Sequence, residues 1–233
     1  MTGRYPTAAS SYAGDIDGLI LFIAALVFFW GILVEVVFFG FIFKFREKKG
    51  RKAEYVTGEE KRQKRWITIP HALVFVCDIL IIVAAVRVWV DVKQTLPTPD
   101  ATVRVISQQW AWTFVHPGPD GALDTADDIT TVDELHLEVG KTYHYELESK
   151  DVVHSLSIPA FRLKQDAVPG RTIRGWFRPI REGTYDLQCA EICGIGHGLM
   201  PAIVKVESAA QHARWMDEAG RSALAAAPRP RAR

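Results

Sequence analysis

The run Gly18-Leu-Ile-Leu-Phe-Ile-Ala-Ala-Leu-Val-Phe-Phe-Trp-Gly-Ile-Leu-Val34 carries no charged side chain, and beyond Glu35 the chain stays apolar to Phe43. As a helix rising about 1.5 Å per residue, that length crosses a hydrocarbon core about 30 Å thick. A second apolar run, Ile67 to Val90, is broken by Asp78 and Arg87 and has Trp66 and Trp89 at its ends as interfacial anchors. Between the two runs crowd Lys44, Arg46, Lys48, Lys49, Arg51, Lys52, Lys61, Arg62, Lys64 and Arg65. The positive-inside rule turns this loop to the cytoplasm and leaves both termini outside, in a bacterial-type inner membrane. The first run is too long and too late for a cleaved signal peptide, and its basic flank follows it. The expected organisation is a short extracytoplasmic N-terminus over 1–15 and a transmembrane helical hairpin over 16–95. Its helices fall near 16–43 and 67–90, joined by a cytoplasmic loop over 44–65. Glu35, Asp78 and Arg87 are costly in lipid and are expected to face protein or water; Glu35 and Asp78 are expected to pair with a partner subunit, with a proton route as the alternative.

After Pro97 and Pro99 the pattern changes to short alternating runs. Val103-Arg-Val105-Ile106 leads into Trp110-Ala-Trp112-Thr-Phe114; Leu135–Val139, Tyr143–Leu147, Gly175–Phe177, Tyr185–Leu187 and Ile203–Val206 follow, separated by turn residues. Such runs predict an all-β sandwich or barrel over 98–208. The tail, 209–233, is expected to begin as a helix and end disordered. A net charge of +1 gives no footing for nucleic-acid binding. Three cysteines are too few for a disulfide framework, and Cys77 reads as a small hydrophobe in an apolar run. The absence of Cys-x-x-Cys-His excludes covalent c-type haem.

Chemistry concentrates in Cys189-Ala-Glu191-Ile-Cys193-Gly-Ile-Gly-His197-Gly-Leu-Met200. Two thiolates, an imidazole and a thioether select a soft, redox-active metal, and copper suits them better than zinc. The bland alternative is a small disulfide loop. A blue-copper site uses one Cys and two His, so the second Cys allows two thiolate bridges between two coppers. Each copper then needs an imidazole, and the loop offers only His197. Outside the membrane runs remain His116, His136, His144, His154 and His212. His136 and His144 read as ordinary strand residues, His116 precedes a Pro-Gly turn and His212 lies in the tail. His154, at a strand end running into Pro159, is the best choice.

With these residues together, the chain resembles subunit II of haem–copper cytochrome c oxidases. The likeness is carried by Asp151-Val-Val-His154-Ser155, Ile158-Pro159, Lys164-Gln-Asp166-Ala-Val-Pro169-Gly170-Arg171, the Cys189–Pro201 loop and Gln109-Trp110-x-Trp112. The resemblance implies a two-helix transmembrane hairpin followed by a cupredoxin-like, Greek-key β domain holding a binuclear copper centre, CuA. Cys189 and Cys193 would bridge the coppers, His154 and His197 would be terminal ligands, Met200 a weak ligand to one copper and the Glu191 carbonyl a ligand to the other. The Glu191 carboxylate would reach magnesium at the boundary with subunit I. Electrons from cytochrome c or a similar carrier would enter at Trp110 and pass to haem in subunit I, where dioxygen is reduced to water.

Two other functions use similar residues: the CuA subunit of a nitric oxide reductase, and a non-redox copper-delivery protein. The magnesium role of Glu191 leans towards the oxidase, and no Met- or His-rich segment supports delivery. Departures from the family pattern are Ala111 beside Trp110, Val115 where an acid is common, and Gln63 where a Glu often marks a proton channel. Asp120, Asp124, Asp127 and Asp128 form a loop that reads as a solvated hairpin tip, with calcium binding as the alternative.

Overall fold

The computed structural model describes residues 6–52 and 55–226. Helix α1 spans Ala13–Phe45 and helix α2 spans Lys61–Trp89, continuing as a π-helical turn over Val90–Gln94. Both are long and apolar enough to cross a membrane, and their large apolar side chains face outward. The helices run past the apolar stretches. Asp15 and Lys44 sit at the dipole ends that suit them in α1, and Lys61, Arg62, Gln63, Lys64 and Arg65 are good helix formers that extend α2. The two helices meet where the Trp30 indole N–H donates to the Cys77 sulfur at 3.4 Å. Cys77 is thus a weak acceptor as well as a packing residue.

Ten strands follow: β1 Ala101–Gln108, β2 Ala111–His116, β3 Ile129–Val132, β4 Glu134–Glu138, β5 Tyr143–Ser149, β6 His154–Ile158, β7 Leu163–Ala167, β8 Ile173–Phe177, β9 Gly183–Cys189 and β10 Ala202–Glu207. They form two five-stranded sheets, β3-β2-β1-β5-β8 and β4-β10-β9-β6-β7. Pairing is antiparallel except for β1 with β5 and β4 with β10. Alternation along each strand buries one face: Val103 and Val105 on β1, Trp112 and Phe114 on β2, Tyr145 and Leu147 on β5, Val204 and Val206 on β10. Each such side chain contributes about 1.5–3 kcal/mol of burial. The β1–β2 hairpin pairs Gln108 with Ala111, so Gln109 and Trp110 are its two-residue turn.

Two further segments pack on this domain. Residues 9–12 lie along it, with Ala9 N–H donating to the Ala160 carbonyl at 2.8 Å and Ile180 N–H to the Ala9 carbonyl at 2.9 Å. Tyr12 stands edge-on to Trp176 with ring centres 5.2 Å apart. At the other end, α3 spans Ala209–Ala226. It opens with a capping box: Ser208 N–H donates to the Gln211 side-chain oxygen at 3.0 Å, and the Ser208 hydroxyl accepts from Gln211 N–H. The expected disorder at the end of the tail falls on 227–233, outside the described residues.

Candidate metal centre

β6 begins at His154 and β9 ends at Cys189, and the antiparallel pairing of these strands sets Leu156 opposite Cys189. The ligand loop then returns to β10 through Met200. Folding alone thus brings a histidine 35 positions upstream to the cysteine pair. One ligand atom each from His154, Cys189 and Cys193 lies within 4.8 Å of the others. The two sulfurs are 3.8 Å apart; Cys189 Sγ is 3.9 Å from His154 Nδ1, and Cys193 Sγ is 3.6 Å from His197 Nδ1. Met200 Sδ lies 3.4 Å from the Cys193 sulfur, and the Glu191 carbonyl oxygen 3.2 Å from the Cys189 sulfur. Each sulfur therefore has one imidazole and one weaker donor of its own. The Glu191 side chain is exposed.

The environment explains why such a group wants a cation. His154, Cys193 and Met200 are buried. Burial first, and then the neighbouring Cys189 sulfur, push the Cys193 thiol up to about 11. Two thiolates at this separation repel unless positive charge lies between them, and a bound soft metal supplies it. His154 turns its other nitrogen, Nε2, to the Asp151 carboxylate at 2.9 Å. A ring that donates from Nε2 presents its Nδ1 lone pair to the sulfurs, as a metal ligand must. Burial raises the Asp151 carboxyl, but hydrogen bonds from His154 and from the Gln109 and Val152 amides outweigh it and hold it below the usual carboxylate range. By donor type, spacing and orientation, the residues fit a soft metal such as copper.

Aromatic residues wall the loop. Trp112, fully buried, donates its indole N–H to the Met200 carbonyl at 3.1 Å and lies edge-on to His154. Trp110, 38% exposed, lies against the glycines of Cys193-Gly-Ile-Gly-His197. A Cβ at Gly196 would come within 2.4 Å of its ring, and Gly194 holds a φ of +121° that side chains disfavour. Trp110 Nε1 also faces the Cys193 carbonyl at 3.4 Å. Sequence reasoning assigned no part to Asp151, Gln109 or Trp112. The signal was present in an acid three residues before His154 and in polar and aromatic neighbours of Trp110.

The remaining histidines fall elsewhere. His144 Nε2 faces the Pro97 carbonyl at 2.7 Å. His116, His136 and His212 surround the Trp215 indole of α3, a cluster the separate readings of these residues did not foresee. His136 stacks on the indole at 4.1 Å, with His116 at 4.9 Å and His212 at 5.3 Å between ring centres. Both nitrogens of His136 are taken, by Glu207 at 2.9 Å and Glu134 at 2.8 Å. In the acidic loop, Arg104 forks onto Asp124, and the Asp120, Asp127 and Asp128 carboxylates accept from the loop's own amides.

Residues 101–207 match the family described as cytochrome C oxidase subunit II, periplasmic domain. The alternative cytochrome c oxidase subunit 2 of Bradyrhizobium diazoefficiens is 31% identical over 230 residues, covering 89% of this chain and 80% of that protein. The cytochrome c oxidase subunit 2 of Cereibacter sphaeroides is 30% identical over 253 residues, covering 94% and 80%. Among solved structures, the periplasmic domain of subunit II of the Bradyrhizobium japonicum cytochrome oxidase superposes with a TM-score of 0.50 at 26% identity, covering 55% of this chain and 99% of that one. The fold after the two apolar helices is the cupredoxin-like one expected.

Proposed function

Because this chain belongs to the cytochrome c oxidase subunit II family, we propose that it is the membrane-anchored subunit through which electrons enter a terminal respiratory oxidase. The observation that carries the reading is the convergence of six donors at one strand end and one loop: His154, Cys189, Cys193, His197, Met200 and the Glu191 carbonyl. His154 and His197 would be terminal ligands of a CuA centre, Cys189 and Cys193 its bridges, Met200 and the Glu191 carbonyl its weak ligands. Such a pair spreads one electron over two ions, so a change of redox state asks little movement of the ligands.

The protein's part is to keep those ligands still. His154 is locked by Asp151 and Trp112, Met200 by its carbonyl bond to Trp112, and the loop by the packing of Trp110 on its glycines. Trp110 is both exposed and within 3.4 Å of the Cys193 carbonyl, which suits it to pass electrons from a docked cytochrome c or similar carrier. The exposed Glu191 side chain is free to reach magnesium at the boundary with subunit I. That subunit would hold the haem and reduce dioxygen, and would also cover Glu35, Asp78 and Arg87 of the hairpin. The basic loop supports a hairpin with both termini and the β domain on the periplasmic side, and the packing of residues 9–12 on that domain agrees with this orientation.

The test is to purify the chain with its partner membrane subunits and mix the complex with reduced cytochrome c. Wild type should oxidise the carrier with consumption of dioxygen, and Trp110→Ala should slow electron uptake sharply while copper content holds. Unchanged uptake in that variant, or turnover with nitric oxide and none with dioxygen, contradicts the proposal.

A further inference from the structure

The loop and β6 approach the metal centre from different parts of the fold, and Gln109 of the β1–β2 turn bonds to the loop and to Asp151, three residues before β6 begins. The Gln109 side-chain amide donates to the Cys193 carbonyl at 2.7 Å. Its backbone N–H donates to one oxygen of Asp151 at 2.6 Å, while the other oxygen holds His154 Nε2 at 2.9 Å. A continuous chain of short hydrogen bonds therefore runs His154–Asp151–Gln109–Cys193, and Trp110 is the next residue. Gly194 leaves the space for it: a Cβ there would lie 2.9 Å from Gln109 Nε2.

We propose that Gln109 is a positioning residue that fixes the separation of the Cys193 and His154 ligands and seats Trp110 against the same carbonyl; the proposal rests on the copper reading above. Asp151 orients His154 through one carboxylate oxygen. Trp110 packs on the loop glycines and faces the Cys193 carbonyl. Gln109 hydrogen-bonds to both Asp151 and the loop, through one main-chain and one side-chain donor. Its side chain is neutral, so it does this without adding charge beside a cationic centre. A residue of this kind acts through the ligands' positions, and its loss alters affinity and spectrum together.

The experiment uses the full chain in detergent, loaded with copper, comparing wild type with Gln109→Met and Gln109→Ala. Methionine keeps the length and bulk of glutamine and lacks the donor. Both variants should bind copper about 10–100-fold more weakly, the range for removing a partner behind a metal ligand, and should shift the thiolate-to-copper absorption bands. Matching far-ultraviolet circular dichroism of the metal-free proteins checks that the fold is intact. Wild-type affinity and spectrum in Gln109→Met would mean that packing suffices, and overturn the proposal. A double variant with Asp151→Asn adds a second arm. If the chain of bonds acts as one unit, the double variant loses little more than the worse single variant, whereas multiplying losses contradict it. A wild-type chain that fails to take up two coppers overturns the copper reading itself, a result distinct from an inert Gln109.

Discussion

Two groups of histidines lie in the β domain, and they are built from similar parts to opposite ends. At the ligand loop, His154 and His197 each turn Nδ1 towards a cysteine sulfur, and the donors converge. At α3, His116, His136 and His212 are as closely gathered, but the Trp215 indole lies among them and keeps the imidazoles from meeting at one point. The first group has an acid behind one ring to free the opposite nitrogen; in the second, His136 has acids on both nitrogens and none left to ligate. Counting histidines does not make a metal site. What decides is which nitrogen is free and whether anything stands in the middle.

Substitution at each group should therefore break different things. The largest expected effect is Cys193→Ser, which removes the thiolate facing His197 and Met200. Copper affinity, measured by competition with a chelator, should fall by more than about 100-fold, beyond what an outer partner costs. His116→Leu in the other group should leave copper uptake at the wild-type level. Next is Trp215→Ala, which takes the central ring from the α3 cluster. It should cost about 2–3 kcal/mol of α3 docking, somewhat below a fully buried tryptophan, and leave copper content unchanged. Trypsin cleavage at the exposed Arg214 and Arg221 would report the released helix.

A smaller effect is expected from pH. Burial first, and then the charges of His136 and His212, pull the His116 imidazole down to about 3. Its unfolded value is 6.5, so the unfolded chain binds the extra proton between these limits. The stabilisation is whole above about pH 6.5 and declines as pH falls towards 3, by up to about 1.4 kcal/mol per unit. Burial displaces His212 in the same direction. Tryptic release of α3 should rise between pH 6.5 and 5, and His116→Leu should flatten that rise. The smallest expected change is at Glu191. Only its carbonyl faces Cys189, so Glu191→Gln should keep the copper spectrum and lose magnesium from the assembled complex, read by metal analysis.

Much of this contrast was legible in the chain itself. Spacing within Cys189–Met200 carries the donor types, and the shortage of imidazoles in the loop points upstream to His154, because ligand chemistry is local and stoichiometric. The apolar runs carried the hairpin for the same reason. What could not be read was pairing. His116, His136 and His212 come from β2, β4 and α3, and only sheet order and helix docking gather them around Trp215. Gln109 likewise stands in the sequence only as the first residue of the Gln109-Trp110-x-Trp112 patch, with no role of its own. Its importance comes from the two-residue turn that sets it between the loop and Asp151.

The central claim is a copper pair at the ligand loop. The most direct measurement is copper content and the electron paramagnetic resonance spectrum of the full-length chain reconstituted in detergent. Two coppers per chain sharing one unpaired electron are expected, with the shared signal lost in His154→Ala. A single copper with a spectrum confined to one ion, or zinc bound in its place, would contradict it.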